Sequence, residues 1–238
     1  AAKDCRLFSA ICLNHTTGGL NPSAVEAAIR FGVDLVCLPT LSAANHEDYR
    51  AAVAGGATPN PGSPAPTPEP IRLLDEQGRL KPEVRTILRM VAAADVVIAT
   101  GHCGGEEAIA VVRAAREEGC RKILLTHLPA YTTADTSALL WIADSGPCYV
   151  ELSWEMTVRD LPAIYRFTPS QIAGYIRAFG PERVVLSSDY GHARLPDPVE
   201  GIREIFRMLI AEGFDDDQIR TMTARNPACL LKRSEPNG

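Results

Sequence analysis

Residues 95–127 read DVVIATGHCGGEEAIAVVRAAREEGCRKILLTH, and the fold turns on how they are parsed. DVVIAT has the length of a buried strand, Gly104-Gly105 open a helix that Gly119 closes, and KILLT from Lys122 is a second strand. Both apolar runs are continuous, with no polar alternation, so both faces of each strand are covered, as in a parallel sheet. Each run also leads straight into a histidine, His102 in TGH and His127 in TH.

The same strand, loop and helix recur on either side. RLFSAICL from Arg6 and VDLVCL from Val33 precede this unit, and CYVEL from Cys148 and RVVLS from Arg183 follow it, giving six strand candidates in all. Asn21-Pro22, Thr168-Pro169 and Asp197-Pro198 each put a capping side chain before a proline at the first helical position; Gly32, Gly180 and Gly213 close helices. Only residues 57–70 break the pattern. TPNPGSPAPTPEP, from Thr58, carries six prolines and can be neither helix nor central strand. A hairpin, IRLL-DEQG-RL, is expected after it, then a helix from Pro82. Repeated βα units give an open doubly wound sheet or a (β/α)8 barrel. No linker divides the chain, so 1–238 reads as one domain.

Composition narrows the function. The 24 Lys+Arg against 29 Asp+Glu leave a net charge of −5, the wrong sign for a phosphate-binding surface, so nucleic acid is not an expected partner. With 46% apolar and 22% charged residues the chain is globular, and no run of about 18 apolar residues suggests a membrane span. The seven cysteines include no C-x-x-C pair and read as reduced thiols of a soluble, cytoplasmic protein. The opening Ala1-Ala2-Lys3 lacks an initiator Met and runs almost at once into a strand, which suggests a fragment.

The chemistry is expected at one end of the sheet. All five histidines, His15, His46, His102, His127 and His192, lie beyond the C-terminal ends of strand candidates, where parallel strands gather their loops into a site. His102, His127, Glu151 and Asp189 are 25, 24 and 38 residues apart, each close to one βα unit. Two imidazoles with one or two carboxylates make a ligand set for Zn²⁺, or for Mn²⁺ or Fe²⁺. Asp189, straight after an apolar strand, needs a metal or cationic partner. Glu151 either enters the mouth of the sheet or pairs with an arginine. His15, His192, Arg194 and Tyr190 are candidate substrate contacts, and His46 is a pocket or loop residue. Cys103 reads as packing. Gly104-Gly105 could seat an anionic or carbonyl group, but the full glycine fingerprint of a dinucleotide site is missing, so NAD is not expected.

TGH, TH, VELS and SSDYG, each at the end of a successive strand, resemble the amidohydrolase superfamily of metal-dependent TIM-barrel hydrolases, and the resemblance extends over nearly the whole chain. It implies His102 and His127 as metal ligands and Asp189 as a ligand that also takes the proton of the attacking water. The superfamily's H-x-H pair is absent from this sequence. The resemblance therefore implies an incomplete (β/α)8 barrel with strands 3 to 8 present, RLFSAICL being the third, and a fragment short of metal ligands that is itself inactive. The implied activity is hydrolysis of an amide, lactam, lactone or ester bond of a small molecule. The alternatives are a phosphoesterase, a decarboxylase, or an inactive ligand-binding barrel. Barrels of this class often form homo-oligomers.

Overall fold

The computed structural model describes residues 7–46, 68–127, 146, 148–157, 167–190 and 197–231. All six expected strands form: β1 (Ala10–Cys12), β2 (Leu35–Cys37), β3 (Val97–Ala99), β4 (Ile123–Leu125), β5 (Tyr149–Ser153) and β6 (Val184–Ser187). Each pairs in parallel with the next, in the order β1-β2-β3-β4-β5-β6. Among the described residues β1 and β6 do not meet, so the sheet stays open, as an incomplete barrel requires. Of the Pro-rich stretch 57–70, residues up to 67 lie outside the described residues. The expected hairpin follows it, with a bridge between Leu74 and Leu80 and Gly78 at positive φ.

The helices begin where their caps say they should. They are α1 (Pro22–Arg30), α2 (Pro82–Ala94), α3 (Gly105–Glu117), α4 (Pro169–Phe179), α5 (Pro198–Ala211), α6 (Asp216–Arg220) and α7 (Asn226–Leu231). Asn21 accepts from the Ser23 N–H, Thr168 forms a reciprocal capping box with Gln171, and Asp197 accepts from the N–H groups of Val199 and Glu200. Each satisfies donors that the first helical turn leaves open.

The period of two in each strand sorts side chains into two apolar layers. Val36, Ile98, Ile123, Leu125, Val150, Leu152, Val184 and Leu186 join the outer core, where α2 brings Val84, Ile87, Leu88 and Val91 and α4 brings Ile172 and Ile176. Val97, Ala99, Leu124 and Val185 form an inner cluster with Leu35, Cys37 and Tyr149, joined by Leu230 and Leu231 of α7. Buried Asn226 secures α7 by donating from Nδ2 to the carbonyls of Pro181 (2.8 Å) and Val184 (2.7 Å).

One glycine sets the position of the site. Gly101 follows β3 at φ +64°, and a Cβ there would lie 2.4 Å from the carbonyl oxygens of both Leu38 and Pro39. Only glycine permits that approach. It lets the His102 N–H reach the Pro39 carbonyl at 3.0 Å, fixing His102 at the mouth of the sheet.

Candidate functional site

His102 and His127 stand side by side because the ends of β3 and β4 are cross-linked. The Gly101 N–H donates to Thr126 Oγ1 (3.2 Å) and the Thr126 N–H to Thr100 Oγ1 (3.0 Å). The two imidazole centroids are 5.1 Å apart, with the rings tilted by 55°. His102 is buried, and its Nδ1 lies 3.0 Å from Nδ1 of His46, the rings stacked with centroids 5.0 Å apart. Such a contact needs one nitrogen protonated and the other bare. Burial above all, with like charge from His127 and His46 adding to it, pushes the His102 pKa down to about 2, so the ring is neutral at neutral pH.

His127 sits between two carboxylates. Its Nδ1 is 3.5 Å from Glu151 Oε2 and its Nε2 is 3.8 Å from Asp189 Oδ2. The His127 backbone N–H also donates to Glu151 Oε2 (3.4 Å). Glu151 therefore points into the mouth of the sheet, the first of its two expected placements. Among the described residues only three non-glycines have positive φ, and two are His127 (51°) and Asp189 (53°). That conformation costs an L-residue about 1–2 kcal/mol, and such strain collects at functional sites.

Two further groups complete the cluster. Glu155 follows β5, its N–H donating to the Ser188 carbonyl (3.1 Å). Burial first, and then hydrogen bonding to and repulsion by Asp189, push its pKa up to about 7. Ser153 and Ser187 oppose each other in the β5–β6 register, and their buried hydroxyl oxygens have no hydrogen-bond partner among the described residues. Buried hydroxyls left open beside a reactive cluster suit a ligand that would satisfy them.

The sequence expectation thus finds His102, His127, Glu151 and Asp189 in one cluster. It gave His46 no place in that cluster and missed Glu155. The signal for Glu155 was local: Tyr149, Glu151, Ser153 and Glu155 alternate along YVELSWE, so a reading at period two would have continued past the strand. For His46 there was none, since its approach to His102 depends on the tight contact at Gly101. Tyr190 lays its ring over Gly201 of α5, whose Cβ position is 1.7 Å from Tyr190 Cε2. His15 lines a cleft of about 640 Å³ with Arg72 and Lys81. An adjoining cleft of about 400 Å³ is lined by Asn45, Arg72, Gly104 and Gly105, and Asn45 Nδ2 donates to the His102 carbonyl (3.1 Å). His192 and Arg194 lie outside the described residues.

The donors suit a borderline divalent metal in kind, being imidazole nitrogens and carboxylate oxygens. In placement they form pairs: among the described residues no three His, Cys, Asp or Glu groups close on a point that could hold an ion. His102 Nδ1 is engaged with His46, and His127 with its carboxylates.

The open sheet of parallel strands with its flanking helices has the fold of solved amidohydrolases. The chain is similar to a structure described as a 2-pyrone-4,6-dicarboxylic acid hydrolase from Pseudomonas putida (TM-score 0.58, 14% identity, 94% of this chain and 71% of that one). It is also similar to an amidohydrolase from Pseudomonas aeruginosa (TM-score 0.57, 14% identity, 89% and 67%) and to one from Burkholderia multivorans with bound zinc (TM-score 0.52, 14% identity, 95% and 84%). At these identities the likeness is one of fold. No curated protein matches the sequence. Residues 1–151 match the model of the family of unknown function DUF6282, and the chain belongs to that family.

Proposed function

We propose that the protein is a divalent-metal-dependent hydrolase that cleaves an amide, lactam, lactone or ester bond of a small molecule by attack of water on the carbonyl carbon. The observation that carries this reading is His127 held between Glu151 and Asp189, beside a neutral His102, at the C-terminal ends of successive parallel strands. The hydrolase descriptions of the similar P. putida and P. aeruginosa structures, and the zinc in the B. multivorans one, support it.

His102, His127 and Asp189 would hold the ion, once the His102 ring gives up its contact with His46. A bound ion of this kind polarises a carbonyl and lowers the pKa of water toward about 7. Asp189 Oδ2 would take the water proton, and Glu151 Oε2, which accepts from the His127 backbone N–H and lies 3.5 Å from Nδ1, would stabilise a positive charge on the ring. Glu155, hydrogen-bonded to Asp189 and with its pKa pushed up to about 7, holds a proton next to the base below neutral pH and gives it up above.

Metal content by mass spectrometry on protein purified without chelator, together with a hydrolysis screen over amides, lactams, lactones, esters and phosphoesters, tests the reading. Near-stoichiometric zinc or manganese in the wild type, lost in His102→Ala, His127→Ala and Asp189→Ala, is the expected result. Folded wild-type protein with neither metal nor hydrolysis would leave a ligand-binding barrel in its place.

A further inference from the structure

Cys12 and Cys37 are the last residues of β1 and β2 and are direct partners in the parallel register. Partners in a parallel pair present their side chains to the same face. Strand spacing sets their backbones about 4.8 Å apart, inside the Cα separation of about 4.4–6.8 Å at which a disulfide closes without strain. In this structure the two thiols are not bridged.

The loops after β1 and β2 are built around the Cys12 sulfur. Asn14 Nδ2 donates to Cys12 Sγ at 3.3 Å, and Thr40 Oγ1 lies 3.2 Å from it. Asn14 Nδ2 also donates to Thr40 Oγ1 (2.9 Å), leaving the threonine hydroxyl hydrogen available to a sulfur that has lost its own. The other end of the same amide is pinned, Asn14 Oδ1 accepting from the N–H groups of Thr40 (2.9 Å) and Ser42 (3.1 Å). As a thiol, Cys12 has the Leu38 carbonyl as acceptor at 3.8 Å; as a thiolate, it keeps the fixed Asn14 donor and can take the Thr40 hydroxyl as a second. Cys37 offers no such cradle and lies against the inner apolar cluster.

We propose that Cys12 and Cys37 form a redox-active dithiol, closed to a disulfide by a hydroperoxide, at the β1–β2 side of the site mouth. The Cys12 thiolate attacks one oxygen of the peroxide, the O–O bond breaks, hydroxide or alkoxide leaves, and Cys12 becomes a sulfenic acid. The Cys37 sulfur then attacks the Cys12 sulfur, and the sulfenic hydroxyl leaves with the Cys37 proton as water. Two electrons pass from the sulfur pair to the peroxide.

The acidities match these roles. Hydrogen bonding from Cys37, against the opposing effect of burial and with help from Thr40, lowers the Cys12 pKa to about 6. Cys37 is held well above the ordinary thiol value, chiefly by Cys12 and by burial, with Glu151 and Cys103 adding to it. Burial raises Cys120 to about 11 and Cys148 to about 12, which leaves them inert at neutral pH.

The test is non-reducing peptide mass spectrometry of the full chain after a few equivalents of hydrogen peroxide at pH 7. The expected product is a Cys12–Cys37 linked peptide two hydrogens lighter than the reduced pair and restored by a dithiol reductant. In Cys37→Ser, Cys12 is expected to accumulate as a dimedone-reactive sulfenic acid; in Cys12→Ser, Cys37 stays unmodified. Wild-type iodoacetamide labelling at pH 7 is expected to be at least about tenfold faster at Cys12 than at Cys120 or Cys148. Oxidation of exposed Cys229 with Cys12 and Cys37 still reduced, or equal labelling of Cys12 and Cys148, overturns the proposal, and both readouts use the wild-type fold. Neither depends on whether the protein binds metal or hydrolyses anything.

Discussion

Gly101 and Glu155 show how much of the site rests on single residues. Gly101→Ala puts a methyl group 2.4 Å from two backbone carbonyls at a positive φ. It is expected to cost about 2 kcal/mol or more in urea unfolding and to reduce metal loading, since His102 moves with the backbone. Glu155 gives a pH signature. Its folded pKa of about 7 lies above the ordinary carboxyl value of 4.5, so the fold binds the extra proton between them. The stability this contributes is fully present below about pH 4.5 and is lost as the pH rises through about 7. Glu155→Gln is expected to flatten that limb, so that the urea midpoint of the metal-free variant falls less than wild type between pH 5 and pH 8; an unchanged difference would remove Glu155 from the Asp189 pair. At this scale the sequence was legible for residues that end a strand. His102, His127 and Asp189 could be placed because an apolar run stops and a polar residue follows. His46 could not, because a 3.0 Å contact between imidazoles 56 positions apart depends on how two loops pack.

At the scale of the element, legibility came from local chemistry. Asn21, Thr168 and Asp197 announce their helices because a cap hydrogen-bonds to residues two or three positions away, a relation the sequence contains in full. Strand ends were read less sharply: of RLFSAICL, the described residues from Leu7 on yield only the three residues of β1, because pairing with β2 sets the limits. The last helix is held by a device of longer range. Asn226 in α7 reaches the carbonyl of Pro181, in the turn before β6, and that of Val184, its first residue, so Asn226→Ala leaves both acceptors open and is expected to cost about 2 kcal/mol. Asn226→Asp is expected to cost at least as much, because a carboxylate cannot donate; equal stability of Asn226→Ala and wild type in urea would show that water satisfies those carbonyls.

At the scale of the whole molecule, every strand among the described residues pairs only with its neighbours in sequence. Each pairing joins strands adjacent in the chain, and none of them requires β1 and β6 to meet. Closing a barrel adds the conformational cost of joining distant chain segments, which grows with the logarithm of the loop; an open sheet omits it. Among the described residues β1 and β6 lean on one neighbour each, while β3 and β4 lean on two. Native-state hydrogen exchange is expected to show amide protection rising from β1 toward β3 and β4 and falling again at β6, with uniform protection across the sheet as the contrary result. Unfolding then has a direction. Like a stack of repeats it can fray from either side inward, so the β1–β2 loops that carry the Cys12–Cys37 pair open more often than the β3–β4 floor beneath His102 and His127.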